Sequence, residues 1–192
     1  LAPTVATSLE VVKREAELGK RLIQVGFMRR FDAEYVALKA LLADGQLGTP
    51  LVMHCAHRNP PVVPPNFDSS MIVKDSLVHE VDVTRFLFDE EITQVQIIKP
   101  AANPSAPQGL QDPQIAIFTT ATGKHVDVEV FVTTGVAYEV RTEVVGELGS
   151  AMIGLDVGLL RKSAPGGHWG GGQITPKLQG TLRPGLRRGD PA

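Results

Sequence analysis

Residues 71–82 read MIVKDSLVHEVD. Asp75 and His79 stand four positions apart, with Asp82 three further on. On a regular helix an aspartate, an imidazole and a second carboxylate would share one stripe. Three chemistries fit. A carboxylate that fixes an imidazole's tautomer makes it a general base toward a substrate hydroxyl, the orienter–base half of a triad. The same donors can hold a metal. Or the stripe is a polar helix face turned to water, the reading that spacing alone favours, because i,i+4 pairing is common on helix surfaces.

HCAHRN adds His54 and His57. Three apart on a strand, they point to opposite faces, so they are poor co-ligands. His57, Arg58 and Asn59 stand where that strand meets a Pro-rich loop, a common location for binding groups; ordinary surface polarity explains them as well. A zinc site from His54, His57, Asp75 and His79, or a metal-dependent hydrolase using His57, Asp75 and His79, is conceivable, but nothing in the spacing fixes the geometry. Cys55 has no partner at motif spacing and reads as a small buried apolar residue. No G-x-G-x-x-G or Walker pattern occurs, and Gly166-Gly167 and Gly170–Gly172 stand in an aperiodic tail rather than between a strand and a helix.

The elements that would position these residues change period halfway along. Thr7–Ser8 can cap a helix over LEVVKREAELG ending at Gly19, and KRLIQVGF reads as a short buried strand. Asp32 can cap AEYVALKALLA, with Leu38, Leu41 and Leu42 on its apolar face. A strand is expected over 51–58, a loop over the proline-rich 59–70 and a helix over 75–88. ITQVQII, IAIFTTA, KHVDVEVFV, YEVRTEVVGE and SAMIGL then follow as β-branched, alternating segments. Most are joined by links too short for parallel crossovers. The expected class is α+β: a large, mostly antiparallel open sheet covered on one face by helices.

The 192 residues suit one large domain, and 43% hydrophobic with 21% charged residues is ordinary globular composition. A net charge of −2 with scattered Lys and Arg argues against nucleic acid. A single cysteine excludes an intrachain disulfide and makes a reducing, cytoplasmic setting the default. There is no apolar run of membrane-spanning length and no secretory n- and h-region pattern.

LAPTVATSLEVVKREAELGKRLIQVGFMRRFD resembles the segment that follows the E-K-P motif of the Gfo/Idh/MocA oxidoreductases. HRNP and KDSLVHEVD resemble the inositol 2-dehydrogenase branch of that family, and YEVRTEVVGELGSA its sheet strands. The resemblance implies a two-domain protein: a Rossmann domain binding NAD or NADP, and an α/β domain whose open sheet serves a polyol or sugar site and a homo-oligomer interface. Residues 1–27 are then the remnant end of the dinucleotide-binding domain, 28–176 the substrate-binding and oligomerisation domain, and 177–192 an irregular tail. The cofactor fingerprint and the E-K-P lysine are absent from this chain, so cofactor binding and turnover are not expected of it alone. The alternative is a non-catalytic module that pairs through its sheet. By resemblance, His79 is the general base and Asp75 its orienting acid; His57, Asn59, Arg29, Met28 and Tyr138 contact substrate. Ser69-Ser70 stands where many relatives carry a glycine pair.

Relatives continue past I-T-P into a helix resembling F-x-x-x-Y-D-A-E-I-Q-x-W, whereas this chain reads LQGTLRPGLRRGDPA. One choice of codons for GLRRGDPA, read one base later, encodes Tyr-Asp-Ala-Glu-Ile-Gln. The expectation is a slipped reading frame around 177–184 and a tail without selected structure.

Overall fold

Alternation along the strands decides which face of one large sheet is covered. The computed structural model describes residues 2, 4–59, 66–135, 138–154, 159–162 and 174–175, the last two runs as backbone alone. The elements are α1 (Val5–Leu18), a 3₁₀ turn (Met28–Phe31), α2 (Ala33–Ala43), β1 (Pro50–Arg58), a short α3 (Ser69–Met71) running through a π-helical turn (Ile72–Leu77) into α4 (Val78–Phe88), then β2 (Ile92–Ile98), β3 (Gln114–Thr120), β4 (His125–Phe131), β5 (Glu139–Gly146), β6 (Gly149–Ile153), β7 (Leu159–Lys162) and β8 (Ile174–Thr175).

The strands form a single sheet in the order β2-β3-β4-β1-β5-β6-β7-β8. Every pairing is antiparallel except β1 with β4, where the chain returns through the helical segment and the β2–β3 hairpin to lay β4 beside β1. The α+β expectation, mostly antiparallel and helix-covered on one side, therefore holds. Met53 and Cys55 of β1, Ala116 and Phe118 of β3, Val126, Val128 and Val130 of β4, and Val144 of β5 face the helices. They meet Tyr35 and Leu38 of α2, Ile72 and Leu77 of the π turn, and Val83, Leu87 and Phe88 of α4 in one core. Each fully buried Val, Leu, Ile, Phe or Met among them contributes about 1.5–3 kcal/mol. The opposite face carries both apolar and charged groups, among them Ile115, Met152, Asp127, Glu129, Arg141 and Glu143.

Asp32 caps α2 as its sequence suggests, accepting from the amides of Glu34 and Tyr35 at 2.9 and 3.3 Å. Three local expectations need correction. The first helix is capped by Thr4 rather than Thr7–Ser8: Thr4 and Thr7 satisfy each other's backbone amides, and Gly19 ends the helix with φ +61. Residues 20–27 form no strand and are largely exposed. A strand exists only where another pairs with it, and here the amides of Leu22 and Ile23 bond the carboxylate of Glu15 at 2.5 and 2.8 Å instead. Finally, the helical segment expected over 75–88 begins at Ser69, capped by Asp68, and passes through the π turn before becoming regular at Val78. Residues 60–65 of the Pro-rich loop and 177–192 of the tail lie outside the described residues.

Candidate functional site

The π turn rearranges the stripe with which the sequence began. The amide of Val78 reaches back five residues to the carbonyl of Val73, so the turn holding Asp75 is wider than an α turn and out of phase with His79. Asp75 is exposed, and Nδ1 of His79 is buried with no hydrogen-bond partner among the described residues. Asp82, on regular α4 with His79, has a different partner. Its carboxylate is buried and grips Arg30 through both Nε and a terminal nitrogen, at 2.9 and 2.7 Å, tying α4 to the 3₁₀ turn.

What comes together around His79 is a different set. His57, at the end of β1, is 4% exposed on the covered face. Its ring lies 6.2 Å from that of His79, the planes 23° apart. The edge of Tyr138 meets His57 at 6.3 Å, and Phe27 meets His79 at 6.4 Å, both nearly perpendicular. Beneath the imidazoles, Arg29 and Glu80 form a buried ion pair, 7% and 1% exposed respectively. Nδ1 of His57 lies 3.2 Å from an Arg29 terminal nitrogen and 3.2 and 3.4 Å from the two Glu80 oxygens. The guanidinium also sits over the Tyr35 ring at 5.8 Å. Burial works against the Arg29 charge, but Glu80, Tyr35 and Tyr138 together outweigh it and raise the guanidinium above its ordinary value.

Electrostatics favour a neutral His79. Burial pushes its pKa below the usual 6.5 and the positive charge of Arg29 pushes the same way; Glu80 opposes, and Asp75 opposes least. The imidazole therefore stays unprotonated near neutrality, able to accept a proton at Nε2 when Nδ1 carries its own.

Of the residues singled out by sequence, His57, His79, Arg29 and Tyr138 converge. Met28, on the same 3₁₀ turn as Arg29, is exposed and lines a neighbouring cleft of about 360 Å³ with Arg29, Tyr35 and Tyr138; neither imidazole lines that cleft. Asn59 is anchored at the end of β1 by its amide, which donates to Phe131 at 2.9 Å. Arg58, its neighbour, turns to the open face and is held there by Glu129 and Glu139 at 2.6–2.8 Å. His54 is likewise on the open face, 2.5 Å from Asp127, so His54 and His57 share no ligand. Cys55 is buried in contact with Thr142, its thiol pushed up to about 12 by burial. Glu80 is the residue that sequence reasoning passed over. Its signal was present: it falls in the buried α4 stripe with Val83, Thr84 and Leu87, and a charge in such a stripe needs a buried counter-charge.

No phosphate cradle accompanies this cluster among the described residues. The N-terminus of α1 is closed by Thr4's own side chain, and the glycines at 166–167 and 170–172 lie outside the described residues. The residues gathered around the imidazoles do not fit a dinucleotide pyrophosphate.

Fold and side chains together define a sheet-backed domain with two facing imidazoles, one from a strand end and one from a helix. Residues 35–152 match the model of the GFO/IDH/MocA C-terminal domain, and the chain belongs to the Gfo/Idh/MocA family. It is 71% identical over 186 residues to an inositol 2-dehydrogenase of Rhodococcus jostii, covering 93% of this chain and 50% of that one. It is 76% identical over 170 residues to one of Rhodococcus erythropolis, covering 88% and 48%. Among solved structures it is similar to a myo-inositol dehydrogenase from Lactobacillus casei in complex with NAD(H) and myo-inositol, with TM-score 0.74, 40% identity, and 85% and 49% of the two chains covered. The chain thus spans about half the length of the relatives it matches. No helix among the described residues is long and apolar enough to cross a membrane.

Proposed function

We propose that this chain is the substrate-binding part of an NAD(P)-dependent oxidoreductase that oxidises a polyol hydroxyl, myo-inositol being the first candidate. The observation that carries this reading is the stacked His57–His79 pair above the buried Arg29–Glu80 pair, in a chain of this family. His79 accepts the hydroxyl proton at Nε2. Its lowered pKa keeps it in the form able to do so, and Asp75 acts through charge, favouring the imidazolium that results. His57, Tyr138 and Asn59 hold further hydroxyls; Arg29 and Met28 line the approach. The hydride acceptor is NAD or NADP, and no step at the cofactor falls to the residues of this chain.

Residues 1–27 are read as the end of a dinucleotide-binding domain and 28–176 as the substrate and assembly domain, pairing with a second copy through the open sheet face. The expected setting is the cytoplasm.

Titration of the isotopically labelled chain with myo-inositol, followed by NMR, tests the proposal. Shifts confined to His57, His79, Tyr138 and their neighbours are expected, and they disappear in His79→Ala. Calorimetry with NAD on the same chain is expected to show no binding. Inositol that leaves the imidazole signals unmoved, or micromolar NAD affinity without the glycine-rich turn, overturns the corresponding part.

A further inference from the structure

The buried pair beneath the imidazoles has a consequence for hydrogen-bond direction. Arg29 donates to one Glu80 oxygen. Nδ1 of His57 bridges both oxygens, 3.2 Å from the one Arg29 holds and 3.4 Å from the other, which has no other partner among the described residues. The same nitrogen is 3.2 Å from the Arg29 guanidinium, which can only donate. Nδ1 therefore faces one neighbour that wants its proton and one that wants its lone pair. A carboxylate oxygen left without a donor in a buried site is the costlier outcome, because it carries charge. The carboxylate wins the choice, and Nδ1 carries the hydrogen.

We infer that Glu80 is a positioning residue: it accepts from Nδ1 of His57 and so fixes the imidazole as the tautomer whose Nε2, on the opposite edge, is a bare acceptor for a substrate hydroxyl. This deepens the polyol reading and rests on it for the ligand, though not for the tautomer. On these terms His57 contributes an acceptor to the site rather than a donor. A polyol hydroxyl gives its hydrogen to His57 and offers its own oxygen to other donors. Ligands with an ether oxygen at that place lack the hydrogen and bind less well.

Long-range ¹H–¹⁵N NMR of the full 192-residue chain reads the tautomer directly. The expected spectrum has His57 protonated at Nδ1 and bare at Nε2; a proton on Nε2 in the native protein overturns the assignment without any variant. Glu80→Gln keeps the shape and removes the charge. It is expected to shift the His57 proton toward Nε2 as Arg29 becomes the only charged neighbour, while His54, on the other face beside Asp127, keeps its pattern. An unmoved His57 in folded Glu80→Gln overturns the positioning role. Should that variant fail to fold, Glu80→Asp replaces it: retention of the Nδ1 proton supports the role of the carboxylate, and its loss to Nε2 overturns it. These spectra need no ligand. A chain that shows the expected tautomer but ignores myo-inositol keeps the Glu80 assignment and loses the polyol reading.

Discussion

His57 and His79 lie with ring centroids 6.2 Å apart and planes 23° from parallel, although one ends a strand and the other stands in the first turn of a helix. Arg29 and Glu80 lie buried beside the rings, and their pairing is what lets each charge stand there. Without it, burying either charge would be prohibitive.

The first prediction concerns proton affinity. His79 titrates below 6.5 because burial and then Arg29 disfavour its cation. Its folded value lies below its unfolded one. Folding therefore favours the neutral ring, and stability is lost as pH falls from 6.5 through the folded value. An NMR titration of the His79 ring checks the direction, and a midpoint at or above 6.5 contradicts it. In the proposed enzyme, hydroxyl deprotonation weakens over the same acidic range.

Asp75→Asn separates charge from contact. Among the described residues no hydrogen bond reaches Nδ1 of His79, and Asp75 is the smallest of the named influences on the ring. The variant should lower the His79 titration further in direction only, leave the tautomer unchanged and weaken myo-inositol binding by less than about tenfold, the equivalent of 1.4 kcal/mol. A wholesale change of the His79 ¹⁵N pattern would show that the aspartate holds the ring after all.

Much of this architecture is written in local patterns, and what was hidden is non-local. The cap at Asp32, the strand β1 with its opposed histidines and the β3–β6 alternation follow from period and turn residues, because each depends on neighbours in sequence; β2, at the sheet edge, is a strand as expected but exposed along nearly its whole length instead of alternating. The opening Asp75–His79–Asp82 stripe misled because a π turn holds Asp75 out of phase with His79 and Arg30 engages Asp82, and nothing in one sequence announces a single wide turn or a distant arginine. Residues 20–27 have the composition of a strand but no partner among the described residues. Glu80 became meaningful only once Arg29, 51 positions earlier, was seen against it. Family resemblance supplied the site residues; spacing alone did not separate them from a solvated helix face.

Thr142 ties two buried groups together. Its hydroxyl is 3.0 Å from the Tyr35 hydroxyl and 3.7 Å from the Cys55 sulfur. Burial pushes the phenol and the thiol each up to about 12. Thr142→Val keeps the shape but strands the Tyr35 hydroxyl, at a cost of about 1–3 kcal/mol in urea denaturation. Cys55 should resist thiol reagents in the native protein and react only on unfolding; rapid native labelling would contradict the buried placement.

The end of α4 is pinned to the β3–β4 hairpin by Glu90, which pairs with Lys124 and accepts from the Thr122 hydroxyl at 2.9 Å. Burial opposes its charge, but Lys124 and the threonine donors outweigh that and hold the carboxyl at about 2 instead of 4.5. Because the folded value is depressed, the contribution is complete above 4.5 and is lost as pH falls toward about 2. Glu90→Gln should cost on the order of 1 kcal/mol at neutral pH, and the gap from the unmodified protein should close on acidification through that window. A gap independent of pH would rule out the charge as its source.

The open sheet face is the remaining test of assembly. Ala116 and Phe118 face the core, so Ile115 and Ile117, which alternate with them, point the other way. In register, Ile115 lies opposite Glu129 and Ile117 opposite Asp127, while Met152 lies opposite Glu143. Apolar side chains interleaved with both signs of charge suit a self-complementary contact about a two-fold axis, in which each copy offers the same patch. Ile117→Lys places a cation beside Asp127 of the same chain, a pairing that should leave the fold intact, and buries an extra charge in any face-to-face dimer. Sedimentation should therefore give a dimer mass for the unmodified chain and a monomer mass for the variant. The His57 and His79 spectra should stay unchanged, because both rings belong to the other face. A monomeric parent chain would remove the sheet interface from the proposal and leave the site chemistry standing.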